Sequence, residues 1–127
     1  MEIHVRRVYE PPSRADGVRI LVDRLWPRGV AKSKAGVDHW VKAVAPSDEL
    51  RRWFGHQPEK WDGFRERYFA ELDANPAAVA ELRQALGGGA ATLLFAARDE
   101  RRNNAVALRE YLQKPRSTPA ADPVAAR

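Results

Sequence analysis

The segment Ala91-Thr92-Leu93-Leu94-Phe95-Ala96 constrains this chain more than any other. It is a near-continuous apolar run of strand length, with Gly87-Gly88-Gly89 before it and the charged run Arg98-Asp99-Glu100-Arg101 after it. A run without polar alternation fits a strand buried on both faces, as in a parallel sheet covered by other layers. Two further strands are expected. Ile3, Val5 and Val8 recur with rough period two, giving a strand near 3–8, and the β-branched run Val18-Arg19-Ile20-Leu21-Val22 gives one near 18–23.

Helices fill the interval between the second and last strands. Ser47 is placed to cap a helix near 47–54, with Asp48 and Glu49 in its first turn, Arg51 and Arg52 near its end, and Gly55 as its stop. Pro58 opens a helix near 58–74, on which Trp61, Phe64, Tyr68 and Leu72 share one face. Asn75 and Pro76 open a helix near 76–86 with Val79, Leu82 and Leu86 inward, and a last helix is expected near 100–112, burying Ala105, Leu108 and Leu112. Val37 to Val44 fits a short helix or a strand equally well. The alternation predicts a single α/β domain, with a small parallel or mixed sheet and helices packed on it. The link between the first two strands is short for a parallel crossover, which keeps a mixed sheet open.

Domain limits follow from composition. Residues 1–113 carry the folded pattern, and 114–127, rich in Pro and Ala, is expected to be a disordered tail. The absence of cysteine among 127 residues excludes a disulfide framework, a thiolate metal site and a cysteine nucleophile. Three scattered histidines give no metal-ligand spacing, so neither a metal nor a cofactor is expected. No apolar stretch is long enough to span a membrane, and the N-terminal residues lack a signal-peptide layout, so a cytoplasmic protein without a membrane partner is expected.

The net charge of +5 is unevenly spread. Residues 1–36 hold eight Lys/Arg against four Asp/Glu, and residues 37–75 hold six against eight. A local basic excess of this kind fits an anion site better than the continuous basic face of a nucleic-acid binder. Ligands of open α/β sheets bind outside the carboxyl ends of the strands. Two such ends are polar here: Asp23-Arg24-Leu25-Trp26-Pro27-Arg28-Gly29 and Arg98-Asp99-Glu100-Arg101. If the two strands are neighbours, Arg24, Arg28 and Arg98 converge, with guanidinium geometry suited to phosphate or carboxylate and Trp26 available to pack on a ligand body. The competing reading is structural, with Asp23 locked to an arginine and Arg98 to Asp99. His56, in a loop between helices, suits acid–base chemistry or simple donation to a carbonyl, and Asp23, His56 and Asp99 are the candidate catalytic groups. The four tryptophans, at 26, 40, 53 and 61, suit a core cluster or a cleft wall. The triplet Gly87–Gly89 precedes a strand instead of following one, so it is not a phosphate loop. Neither a G-x-S-x-G elbow nor an H-E-x-x-H pair occurs.

These residues also carry a resemblance. Arg7-Val8-Tyr9 with Pro11-Pro12, Leu21 to Gly29, Ala45-Pro46-Ser47, Arg52 to His56 with Pro58 to Trp61, and Leu93 to Asp99 with Asn103-Asn104-Ala105 together resemble the YeaO-like family, small bacterial proteins built on a domain of unknown function. The resemblance spans about Val5 to Leu112 and implies the α/β fold. It implies no activity, because the family has no established reaction. A longer sister class typically reads Cys-Ala-Glu and then Cys-His-Arg where this chain has Phe95-Ala96-Ala97 and Asn103-Asn104-Ala105, so thiol or metal chemistry does not carry over. A winged-helix pattern is missing, since the strand at 91–96 has no hairpin partner. Two functions are therefore weighed: a pocket for a small anionic ligand, and a non-enzymatic module binding nucleic acid or protein through the basic first third. A third reading, an interaction domain without a ligand, would have its arginines paired internally.

Overall fold

The computed structural model describes residues 2–113. At its centre lies the apolar run, as strand β4 (Ala91–Phe95), with all five residues buried. It is flanked by β1 (Ile3–Arg7) and β2 (Val18–Leu21), and a two-residue strand, β3 (His39–Trp40), extends the sheet beyond β2. The strand order is β1-β4-β2-β3 and every pairing is parallel. The ambiguous Val37–Val44 segment therefore supplies β3 and then a 3₁₀ turn at Lys42–Val44.

The parallel arrangement holds despite the short link between β1 and β2. The ten residues Val8 to Gly17 pass over one face of β4, with a 3₁₀ turn at Arg14–Asp16 in place of a helix. Ten residues extended reach up to about 33 Å, ample for returning along a five-residue strand and stepping over one neighbour. A buried ionic cluster pins this crossover. Asp16 and Arg19 are each only 3% exposed and form an ion pair, while Arg6 donates to the other Asp16 oxygen at 2.8 Å. Arg19 also donates to the carbonyls of Gly36 and Ala35. Thr92, the one polar residue of β4, donates its hydroxyl to the Asp16 carbonyl at 2.7 Å. Burial raises the Asp16 carboxyl, but bonds from Arg6, the Ser13 N–H and Arg19 outweigh it and leave it below the usual range. Gly17 makes the turn into β2 at φ +64°, and a Cβ there would lie 2.1 Å from the Ala90 carbonyl oxygen, so only glycine fits.

The four longer helices cover the opposite face. A short α1 (Lys32–Ala35) precedes β3, and then come α2 (Asp48–Phe54), α3 (Trp61–Asp73), α4 (Pro76–Leu86) and α5 (Asn104–Gln113). Ile20, Leu93 and Phe95 from the sheet share one core with Phe54, Phe64, Tyr68, Leu82 and Leu108 from the helices. Val8, Leu21 and Leu94 point the other way, into a smaller cluster with Trp26, Val37 and Trp40. The expected faces hold for α3 and α4. Ser47 caps α2 by accepting from the Leu50 N–H, and Gly55 ends it in the left-handed region.

Three local expectations change. Asn75 does not cap α4 with its side chain, which reaches toward the Ala43 carbonyl. The last helix starts at 104, not near 100. Asp99 accepts the N–H groups of Arg101 and Arg102, folding 99–103 into a turn, and Asn103 then accepts from Val106 N–H as the cap. Tyr111 is buried on α5, with Leu112 only half-buried. The expected tail, 114–127, lies outside the described residues. Among the described residues, no helix is long and apolar enough to cross a membrane.

Candidate functional site

β2 and β4 are neighbours, and the chain leaves them toward opposite faces. After β2 it enters the Trp26/Trp40 side, and after β4 it turns into α5 on the helical side. Such a divergence opens a crevice at the strand ends. A cleft of about 760 Å³ lies there.

Asp23, directly beyond β2, reaches across the crevice. Its Oδ2 accepts the Ala96 N–H at 2.9 Å, and its Oδ1 accepts the Asn104 amide at 3.0 Å. The same amide donates to the Val22 carbonyl, so α5 is clipped to the end of β2. Burial raises the Asp23 carboxyl above the ordinary carboxylate range, and the Asn104 and Ala96 bonds with the Arg51 charge only partly offset it. Arg7 clamps the other side, donating to the carbonyls of Ala96 and Ala97.

Around this floor stand apolar walls and a cationic rim. Phe54, Phe64 and Pro46 line one side, and Trp26, Pro27 and the 68%-exposed Leu25 line the other. Trp26 is held by its Nε1–H on the Val30 carbonyl and meets Trp40 edge-on at 5.5 Å. Five arginines line the cleft: Arg24, Arg28, Arg51, Arg52 and Arg102. Asp48 engages Arg51 at 2.7 Å and Arg24 at 3.7 Å, and Asp99 engages Arg102 at 3.7 Å. Arg28 and Arg52 have no acidic partner within salt-bridge distance among the described residues. Tyr9 donates its hydroxyl to the Arg28 carbonyl and fixes the backbone of that loop.

Asp23, Arg24, Trp26, Arg28 and His56, from the expected set, thus line one cleft. Arg98 and Asp99 are not part of its lining. Arg98 is exposed, and the Asp99 carboxylate is engaged by two backbone N–H groups and Arg102. The bonds to Asp99 hold its carboxyl low. The alternative pairings expected from sequence, Asp23 with an arginine and Arg98 with Asp99, do not form. His56 is exposed and sits at φ +58°, a left-handed conformation unusual for a side-chain-bearing residue, with its ring 6.2 Å from Phe54. None of the four tryptophans is fully buried. Trp26 is the one lining the cleft, Trp61 stacks on Phe64, and Trp53 lies between the Lys60 and Arg67 cations. Among the described residues, no group of three His, Cys, Asp or Glu side chains is placed to hold a metal ion.

Sequence reasoning missed Tyr9, Arg51, Arg52, Arg102 and Asn104 as parts of this site. The consecutive asparagines at 103–104, inside an expected helix, were a legible signal: they favour a cap over a helix interior.

Comparison with known proteins bears out the family resemblance. The family model described as "Inactive DUF488-N3 subclade" matches residues 2–125. Uncharacterized protein Rv3073c of Mycobacterium tuberculosis is 46% identical over 110 residues, covering 87% of this chain and 92% of its own length. YeaO of Escherichia coli is 40% identical over 113 residues, covering 89% of this chain and 98% of its own length. No solved structure matches. With nearly the whole folded chain aligned in each case, the protein belongs to the inactive DUF488-N3 subclade and is YeaO-like.

Proposed function

We propose that the cleft at the ends of β2 and β4 binds a small phosphorylated or carboxylated molecule, a soluble cytoplasmic ligand, without transforming it. The observation carrying this reading is the five-arginine lining, in which Arg28 and Arg52 lack an acidic partner among the described residues. Unpaired guanidinium groups beside an apolar wall are arranged to accept an anion. Arg24, Arg28 and Arg52 would hold the charge, with Trp26 against the ligand body. Arg98 is left with at most a long-range role. The family description, "Inactive DUF488-N3 subclade", favours binding over catalysis. So do Asn103 and Asn104, which line the cleft at the positions where the sister class has a cysteine and a histidine.

Thermal-shift and calorimetric titration with inorganic phosphate, pyrophosphate and citrate tests the proposal. At least one should stabilise the wild type, and R28A should bind it about tenfold more weakly, as for loss of one charge-assisted bond. If none of the anions binds, or R28A binds equally well, the reading fails. The competing nucleic-acid module would show a steep fall of affinity with salt on an oligonucleotide, while a single-anion pocket would not.

A further inference from the structure

The anion reading leaves the floor of the cleft unexplained. A bare phosphate would need the rim only. Below it lies Asp23, a partly buried carboxylate with no cation within salt-bridge distance among the described residues. An ionised carboxylate has about four lone-pair sites, two on each oxygen. Asp23 commits one on Oδ2 to Ala96 and one on Oδ1 to Asn104. One acceptor position on each oxygen stays open, and the residue lines the cleft. A partly buried carboxylate with open acceptor positions gains when a ligand supplies donors.

The lining thus combines one acceptor, apolar side chains and cations. Phe54 and Phe64 flank the middle on one side and Trp26 on the other. At about 760 Å³ the space falls within the range typical of whole small-molecule sites and exceeds what one anion needs.

We propose that the ligand is a nucleoside monophosphate whose base presents two adjacent N–H donors, a guanine-type edge, to the two oxygens of Asp23, with its phosphate at the arginine rim. This rests on the anion reading and adds its ligand class. A guanine N1–H beside its N2 amino group matches one open position on each carboxylate oxygen, and the partly exposed Trp26 lines the same cleft as a surface for the base. Asp23 is then the specificity-determining residue, and Arg28 the anion-holding one.

The test is calorimetric titration of the wild type with GMP, ribose 5-phosphate and inorganic phosphate, repeated on D23N and R28A with thermal unfolding as a folding control. GMP is expected to bind at least tenfold more tightly than ribose 5-phosphate. D23N, which replaces one acceptor oxygen with a donor, should remove that gain while still binding ribose 5-phosphate. R28A should weaken all three. If GMP and ribose 5-phosphate bind the wild type equally, or if D23N keeps the GMP gain, the inference is overturned while the anion reading stands. If none of the three binds, this inference is overturned, and the anion reading falls with it when pyrophosphate and citrate fail to bind as well. If D23N does not fold, AMP titrated against the wild type decides the matter: its base lacks the adjacent N1–H and N2 amino donors, so AMP binding as tightly as GMP overturns the inference.

Discussion

Asp48 restrains two of the five cleft arginines, and removing its charge tests whether those arginines face the ligand. It is the first residue of α2, 2.7 Å from the Arg51 guanidinium and 3.7 Å from that of Arg24. An anion seated among the arginines would lie on the order of 8 Å from its carboxylate. At that separation, two unit charges repel by about 0.5 kcal/mol in water and about 2 kcal/mol at an effective dielectric of about 20. One Debye length at physiological salt is also about 8 Å, which reduces either figure to roughly 0.4 of its value. A phosphate bearing nearly two charges doubles it. D48N should therefore tighten phosphate binding by about 0.4–1.5 kcal/mol, a two- to tenfold gain in affinity.

Isothermal titration with inorganic phosphate at low and high sodium chloride reads this directly. The gain should shrink as salt rises, because both Asp48 and its arginine partners are about half-exposed. The substitution removes a favourable charge from the first turn of α2, worth about 0.5 kcal/mol of stability, so a small drop in melting temperature is expected alongside tighter binding. Phosphate affinity that is unchanged or weaker in D48N would mean that Arg24 and Arg51 serve α2 and not the cleft.

Other substitutions test the scaffold. D16A should destabilise the protein by about 3 kcal/mol, since it strands the buried Arg19 with only its two carbonyl partners. D16A/R19M should recover at least half of that in denaturant unfolding, and a double variant no better than the single would refute a charge-pairing role. H56G should raise stability by roughly 0.5–1 kcal/mol by relieving the positive φ, after allowing for the greater freedom of glycine when unfolded. A lower melting temperature would show that the His56 ring contributes more by packing on Phe54 than its backbone costs. Asp23 also predicts a pH dependence. Its carboxyl is raised in the folded state, so its contribution to stability is intact below about pH 4 and is lost as pH rises through the folded pKa. The stability of D23N relative to wild type should thus improve from acid toward neutral pH, and a flat or opposite trend would contradict the burial of this carboxyl.

Much of this molecule is legible in the chain because its elements carry strong local patterns. β4 reads as a doubly buried strand from six residues, and α3 reads as a helix from Trp61, Phe64, Tyr68 and Leu72. The loop after β2 is legible as a site because arginines and a tryptophan beside Pro and Gly have no core role. What escapes is whatever long-range contacts decide. A two-residue strand such as β3 has no period to detect, and only pairing with Ile20 and Leu21 defines it. The parallel crossover of Val8–Gly17 depends on Asp16 finding Arg6 and Arg19, which spacing alone does not reveal. Arg51 and Arg52 read as helix-end charges until the fold brings the end of α2 to the end of β2. Arg98 shows the reverse error: it lies close in sequence to the right strand, but the turn led by Asp99 keeps it out of the lining and places Arg102 there.

The same clip that builds the cleft also sets its charge. Guanidinium groups from the β2 loop, from α2 and from the turn before α5 are held around one crevice by Asp23 bridging Ala96 and Asn104 and by Arg7 on the Ala96 and Ala97 carbonyls. Asp23 is the only carboxylate in that lining among the described residues, and it lies at the floor. Like charges gathered this way repel, and the fold accepts that cost because the neutral contacts beneath them, Phe54 on Phe64 at 4.6 Å and Trp26 against Trp40, hold the walls in place. Asp48 and Asp99 engage three of the five, and Arg28 and Arg52 keep their charge without an acidic partner among the described residues, so an anion in the cleft would lower the repulsion.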